Sequence, residues 1–106
     1  MLKEISNDGK VLGVTVLDIQ DLPGEESVVV LLNYMEMGNG PVRNLVKLRH
    51  CGETVWVADL PDTGPRECYV SMDLSGAGQV FANTWNGYRV AIDSETGRVL
   101  GSKFTK

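Results

Sequence analysis

A chain of 106 residues, 42% of them hydrophobic, is long enough for one domain with a buried core and too short for a second domain. Its 14 Asp and Glu residues outnumber its 10 Lys and Arg residues, which gives a formal net charge of −4. Because this charge repels phosphate backbones and favours a basic partner, direct binding of nucleic acid is not expected.

The apolar segments and the cysteines indicate a cytoplasmic protein. The longest uninterrupted apolar run, Val28 to Leu32, is far shorter than the roughly 20 residues of a membrane-spanning helix. Met1 to Asp8 includes Glu4 and no long apolar stretch, so no secretory signal is predicted. In a cytoplasmic setting we expect Cys51 and Cys68 to be reduced thiols, one beside a turn and one packed in a strand.

Every element predicted along the chain is a strand, since apolar runs alternate with breaks rich in Gly, Pro, Asn and Asp. A Pro-rich break is predicted at Pro61 to Pro65. Four strands precede it: Lys10 to Ile19, Ser27 to Tyr34, Val42 to His50 and Glu53 to Leu60. Four follow it, at Glu67 to Asp73, Gln79 to Trp85, Tyr88 to Asp93 and Arg98 to Thr105. Helix is predicted to be close to absent, because no window has helical apolar spacing.

A faint internal repeat relates the two halves. Val46 to Trp56 (VKLRHCGETVW) returns as Val90 to Gly101 (VAIDSETGRVLG), and Gly52 and Gly97 lie 45 residues apart. Each copy reads as a strand, a polar turn closed by glycine, and a return strand. A period of this length suits a four-stranded propeller blade.

Residues 78–104 resemble a blade of the quinoprotein-type (PQQ-like) β-propeller repeats. Ile92-Asp93 and Thr96-Gly97 match the strand ending and the Thr-Gly turn of that pattern. The family's tryptophan, four residues after the glycine, is Trp56 in the first half and is replaced by Gly101 in the second. The resemblance covers roughly residues 25–106 and implies β meanders. Because two blades cannot close a propeller of four to eight, no quinone cofactor is expected.

We therefore predict a single all-β domain, residues 1–106, with about eight antiparallel strands. Two blade-like four-stranded meanders, at about residues 10–60 and 66–105, are predicted to pack as a small sandwich or a partial propeller. Their strand order stays open at this point. Homo-oligomerisation of two-blade copies into a ring is an alternative arrangement.

The hairpin around Asn86-Gly87 is predicted to have a two-residue type I′ turn, which this dipeptide favours. In that register Trp85 faces Tyr88 at the tip and Phe81 faces Ile92. The aromatic pair is interpreted either as a lid on the core or as an anchor for a partner.

No catalytic, metal-binding or cofactor-binding residue is predicted. His50 is the only histidine, and it is not expected to reach Cys51 because neighbouring strand residues point to opposite faces. Asp93 to Gly97 resembles half of a calcium loop, but it lacks the later bidentate glutamate and is explained by a turn. The loop acids, Glu25-Glu26 and Asp59 with Asp62, are interpreted as a solvated rim, so the chain is not expected to be an enzyme.

The function predicted is that of a non-enzymatic protein-binding module that neutralises or regulates a basic partner protein. Its sharpest form is an immunity protein against a cationic bacterial toxin such as a nuclease. The predicted contact residues are aromatic, acidic or Met side chains: Tyr34, Glu36, Met37, Asp59, Asp62, Trp85 and Tyr88. Two alternatives are a self-assembling propeller-type structural subunit, and a small-ligand or carbohydrate-binding β protein that stacks its ligand on Trp56, Trp85 and Tyr88.

Overall fold

The computed structural model describes residues 10–22, 24–38, 40–64, 66–75 and 78–105. Over these ranges the chain forms nine β-strands and one short 3-10 turn, Tyr34–Glu36, with no α-helix. The strands are β1 (Lys10–Val11), β2 (Val14–Asp21), β3 (Ser27–Leu32), β4 (Leu45–Arg49), β5 (Thr54–Val57), β6 (Tyr69–Leu74), β7 (Val80–Thr84), β8 (Tyr88–Ile92) and β9 (Val99–Phe104). The predicted all-β class is confirmed. Met1 to Asp8 and Pro65, which were interpreted above from sequence, lie outside the described residues.

The strands form two antiparallel meanders. One sheet has the order β1-β2-β3-β4-β5 and the other has the order β6-β7-β8-β9, so each strand pairs with its neighbour in sequence. The predicted strand Lys10 to Ile19 is interrupted, because Leu12 and Gly13 have φ values of 54° and 78°. Positive φ at both central residues is what a two-residue type I′ turn requires. This turn adds the two-residue strand β1 to the predicted first meander.

The two sheets pack against each other through one apolar core. The first sheet contributes Val29, Leu31, Leu45 and Trp56, and the second contributes Tyr69, Met72, Val80, Val90 and Ile92, all of them buried. Burial of side chains on facing sheets is the main source of stability in this architecture. The arrangement is that of a small sandwich.

The strand β3 is buried on both of its faces. Val29 and Leu31 point into the core between the sheets, whereas Val28, Val30 and Leu32 belong to a second apolar cluster on the other face of the first sheet. All six residues of β3 are buried, as its continuous apolar run predicts.

The predicted register of the β7–β8 hairpin is wrong by one position. Phe81 pairs with Ala91 and Asn83 pairs with Arg89, so three residues, 85–87, form the loop instead of two. The Thr84 hydroxyl accepts a hydrogen bond from the Tyr88 amide at 3.0 Å, and Thr84 O accepts one from the Gly87 amide at 3.1 Å. A three-residue loop that ends with a left-handed glycine is the next commonest hairpin turn.

This register separates the two aromatic residues at the hairpin tip. Tyr88 packs against Phe104 of β9, with ring centroids 5.2 Å apart. Trp85 lies in the loop instead of facing Tyr88 across the hairpin.

The internal repeat corresponds to equivalent hairpins. One copy is β4–β5, the last hairpin of the first sheet, and the other is β8–β9, the last hairpin of the second sheet. Gly52 and Gly97, which close the two turns, both have positive φ values, 98° and 77°. None of the described residues belongs to a helix long and apolar enough to cross a membrane.

Candidate functional site

Tyr34 and Trp85 come together at the junction of the two sheets. Tyr34 follows β3 of the first sheet, and Trp85 follows β7 of the second. Their ring centroids are 5.8 Å apart and the rings are tilted by 57°, which is a favourable geometry for an aromatic pair. The side of Trp85 that faces away from this contact is open, since 54% of the residue is exposed.

Tyr34 is positioned by the 3-10 turn that ends the β3 strand. The Asn33 side chain caps this turn by accepting a hydrogen bond from the Met35 amide at 3.1 Å. The Glu36 carboxylate accepts hydrogen bonds from the Asn33 side-chain amide at 3.1 Å and from the Thr15 amide at 3.0 Å. The turn is therefore stabilised by hydrogen bonds within it and by one to β2.

A concave surface of about 250 Å³ opens beside the two rings. We call it the Tyr34–Trp85 groove. Its lining residues are Tyr34, Met35, Gly38, Gly40, Val42, Arg66, Cys68 and Trp85. A second concave surface, of about 560 Å³, shares Tyr34 and Trp85 and includes Val70, Asn83 and Thr105. The two rings therefore line both concave surfaces.

The buried carboxylate of Glu67 fixes one wall of the groove. Glu67 is 1% exposed. Its Oε1 accepts hydrogen bonds from the amides of Cys68 at 3.1 Å and Asn86 at 3.2 Å, and its Oε2 accepts one from the Thr63 hydroxyl. Hydrogen bonds to an ionised group are the stronger kind in proteins. Glu67 thus connects Thr63 and Cys68, in its own segment, to Asn86 in the hairpin loop beside Trp85.

Two backbone hydrogen bonds complete this support. The Val42 amide donates to Glu67 O at 3.0 Å, and the Trp85 amide donates to Cys68 O at 2.9 Å. The groove is therefore lined by backbone that is hydrogen-bonded to both sheets.

The thiol of Cys68, which lines the groove, is free and buried. Burial raises its pKa, and the negative charge of Glu67 raises it further. Only the thiolate is strongly nucleophilic. The groove therefore offers apolar and aromatic surface, with Arg66 as a charged residue at its edge.

The structure brings some of the seven predicted contact residues together and separates others. Tyr34 and Trp85 touch. Asp62 is exposed and precedes Thr63, whose carbonyl accepts a hydrogen bond from the Asn86 side chain at 3.2 Å, next to Trp85. Its loop therefore borders the site.

The other four predicted contact residues make contacts within the fold. Asp59 forms an ion pair with Arg43 at 3.2 Å, and its amide donates to Gly97 O. Met37 packs against the apolar cluster on the far face of the first sheet. Glu36 supports the 3-10 turn, and Tyr88 packs against the core and Phe104.

Val42, Arg66 and Cys68 were not predicted as site residues. They come from two segments that are joined by the hydrogen bond from the Val42 amide to Glu67 O and by those between Asn44 and Tyr69. A loop signal is visible at Gly38 to Pro41, but nothing in the sequence indicates which distant segment that loop meets.

His50 and the two cysteines, the side chains most suited to chemistry, have different surroundings. His50 Nε2 lies 3.5 Å from Asp21 Oδ1, and both cysteines are free thiols, Cys51 exposed and Cys68 buried. Among the described residues, no group of three or more His, Cys, Asp or Glu side chains could hold a metal ion. Trp56 is 6% exposed, so it is not available to stack on a ligand as the carbohydrate-binding alternative requires.

The sequence model of one protein family, described as a domain of unknown function (DUF7957), matches residues 5–104. The chain belongs to the DUF7957 family. The matched range runs through both sheets of this DUF7957 domain to the last residue of β9 and includes every residue that lines the groove. No curated protein and no solved structure matches the chain.

Proposed function

We propose that this DUF7957 domain is a non-enzymatic protein-binding module whose contact surface is the Tyr34–Trp85 groove. The observation that carries the proposal is the aromatic pair at the junction of the two sheets, in which Tyr34 is half-buried and Trp85 is exposed. Trp85 is 54% exposed and Met35, beside it, is 76% exposed. Clustered aromatic and Met side chains on a preformed surface are typical of residues that dominate protein interfaces.

The partner we propose is a basic protein. The net charge of −4 attracts basic proteins at long range and raises their association rate. Asp62, exposed at the border of the site, adds to this attraction. Small size and negative charge also support the sharpest form of the proposal, an immunity protein that neutralises a cationic toxin such as a nuclease.

The proposal is tested with two matched double variants. Tyr34→Ala/Trp85→Ala removes the aromatic pair from the groove. Leu100→Ala/Phe104→Ala removes a comparable apolar surface from β9, where these residues are 60% and 55% exposed. Proteins captured from the native host on the wild-type chain are identified, purified and titrated against all three chains.

Saturable one-to-one binding that weakens at least about tenfold in the groove variant, and little in the β9 variant, is the expected result. Asp62→Lys is expected to slow association and to reduce the dependence of the rate on salt. Equal affinity of the groove variant and the wild type for every captured protein would remove the groove as the contact surface.

A second candidate function, a self-assembling structural subunit, is favoured by the β9 strand. Its residues Leu100 to Phe104 are all exposed, and β9 is at the edge of its sheet. An exposed edge strand can pair with a strand of another chain. An oligomer seen by light scattering that Leu100→Ala/Phe104→Ala dissociates would favour this function over the binding module.

A further inference from the structure

We infer that the Tyr34–Trp85 groove binds a short segment of the partner in which a large apolar side chain lies beside a carboxylate. The apolar side chain would contact Tyr34 and Trp85, and the carboxylate would pair with Arg66. This inference rests on the proposed function and adds the chemistry of the segment that enters the groove.

Arg66 places a positive side chain at the lining of the groove, in a chain whose net charge is negative. The chain carries a net charge of −4, yet Arg66 is the one charged side chain among the described residues that line the groove. A carboxylate that enters the groove therefore meets a cation, whereas a Lys or Arg side chain meets a like charge. The overall charge steers a basic protein, and Arg66 selects the local segment.

The guanidinium of Arg66 is available for such a pair. Arg43, Arg49 and Arg89 each have a carboxylate oxygen within 3.2 Å. Arg66 is exposed and has no such partner in the part of the chain that the structure describes. The neighbouring Glu67 does not supply one, because it is 1% exposed and its oxygens accept hydrogen bonds from the loops.

Arginine suits this role for geometric reasons. Its planar guanidinium can donate two parallel hydrogen bonds to one carboxylate, and it is always protonated. A single arginine beside an aromatic surface therefore recognises a carboxylate next to an apolar group, and it disfavours a cationic group at the same place.

The Tyr34–Trp85 groove by itself is small for a free small molecule and suits a peptide side chain. Its volume of about 250 Å³ is below the roughly 300–1,000 Å³ of typical small-molecule pockets. It matches one large side chain and its neighbour. Met35, with its flexible thioether chain, can adapt to the shape of that side chain.

The inference is tested with short peptides on the full chain. The probes are acetylated and amidated hexapeptides with a central Phe or Leu, flanked by Asp, Ser or Lys, and the readout is the amide NMR shifts of Val42, Arg66 and Trp85. The Asp-flanked peptides are expected to bind about three- to fivefold more tightly than the Ser-flanked ones, and Lys-flanked peptides most weakly.

Two charge variants of the chain complete the experiment. Arg66→Glu is expected to reverse the preference from Asp to Lys flanks. Arg98→Glu, which makes the same change at an exposed arginine outside the groove lining, is expected to leave the preference unchanged. Equal binding of all three peptide sets, an unaltered preference in Arg66→Glu, or no shift at the groove with any peptide would overturn the inference.

Failure of the inference is distinguishable from failure of the proposed function. A protein partner that requires Tyr34 and Trp85 but binds Arg66→Glu as tightly as the wild type leaves the proposed function standing and overturns the acidic segment. Absence of any binding that depends on Tyr34 and Trp85 overturns both.

Discussion

The indole ring of Trp56 lies against Gly97, and this contact joins the two sheets. A Cβ atom on Gly97 would lie 2.8 Å from Trp56 Cδ2 and 2.9 Å from Cγ and Cε3. Trp56 Nε1 also donates a hydrogen bond of 3.0 Å to Ser94 O, in the turn that Gly97 closes. Trp56 follows the glycine turn of the first repeat copy, so the end of one copy packs on the turn of the other.

Replacing Gly97 by alanine is predicted to destabilise the chain more than the same change at Gly13. The two glycines have nearly equal φ values, 77° and 78°, but a Cβ at Gly13 would have no atom within 4 Å. Gly13→Ala should cost about 1–2 kcal/mol for the left-handed backbone alone. Gly97→Ala should cost about 1–3 kcal/mol more, because Trp56 must move. Urea unfolding of both variants measures the difference.

The double variant Gly97→Ala/Trp56→Leu identifies the cause. A smaller side chain at position 56 leaves room for the new methyl group, so the two changes should cost less together than the sum of the single changes. Equal losses in Gly97→Ala and Gly13→Ala, or strict additivity with Trp56→Leu, would show that the contact does not constrain the fold.

Asn44 is predicted to be the most costly polar residue to remove. It is fully buried. Its amide donates to Leu32 O at 2.9 Å and Tyr69 O at 2.7 Å, and its Oδ1 accepts from the Tyr69 amide at 2.8 Å. Asn44→Ala leaves these groups buried without partners, at a cost of about 1–3 kcal/mol each, so we expect a loss on the order of 3 kcal/mol or more.

A surface asparagine provides the control for this change. Asn83 donates to Ser71 on the exposed face of the second sheet at 2.8 Å, where water can replace the lost hydrogen bond. Asn83→Ala should therefore cost about 1 kcal/mol or less. Through Leu32 and Tyr69, Asn44 links the two sheets. A similar loss of unfolding free energy in both variants would contradict this role.

The strands could be predicted from the sequence because their signals are local. The apolar run of β3 and the glycines that close the two repeat turns are visible without the fold. The register of the β7–β8 hairpin could not be predicted, since it depends on the hydrogen bond from the Tyr88 amide to the Thr84 hydroxyl. The left-handed conformation of Leu12, which divides the predicted first strand into β1 and β2, also has no local signal because few residues of its type adopt it.

The candidate site could be predicted only in part. Tyr34 and Trp85 were selected separately, as a loop residue and a hairpin-tip residue, on the expectation that exposed aromatic residues bind partners. Their contact depends on how the two sheets pack. Arg66 reaches the groove because its segment is hydrogen-bonded to the segment of Val42 and Asn44. Such long-range relationships leave no periodic pattern in the sequence.

The two cysteines are predicted to react with thiol reagents at very different rates. Cys51 is exposed in a turn, whereas Cys68 is buried and its pKa is raised by burial and by Glu67. At pH 8 an alkylating reagent should modify Cys51 rapidly and Cys68 only when the chain unfolds. Mass spectrometry over time counts the modifications.

Cys51→Ser identifies the reactive thiol. This variant should lose the rapid phase and keep the slow one. Rapid modification of both thiols in the native wild type would show that the lining of the Tyr34–Trp85 groove opens readily, which would contradict a preformed contact surface.

The Asp93 carboxylate is predicted to stabilise the β8–β9 hairpin at neutral pH and to lose this effect in acid. The Glu95 amide, which donates to Asp93 Oδ1 at 2.9 Å, is the largest cause that lowers the pKa of Asp93 below its ordinary value of 3.8. Thr96 and the charge of Arg98 lower it further, while burial opposes them. Because the pKa is lower in the folded chain, the stabilisation is complete above about pH 4 and disappears as the pH falls through the folded-state pKa.

Asp93→Asn keeps an acceptor oxygen for the Glu95 amide and removes only the charge. It should therefore unfold at lower urea concentration than the wild type at pH 6, and the difference should shrink as the pH is lowered from 4 towards 2. A difference between wild type and Asp93→Asn that stays constant from pH 6 to pH 2 would mean that the turn is stabilised by the shape of the side chain and not by its charge.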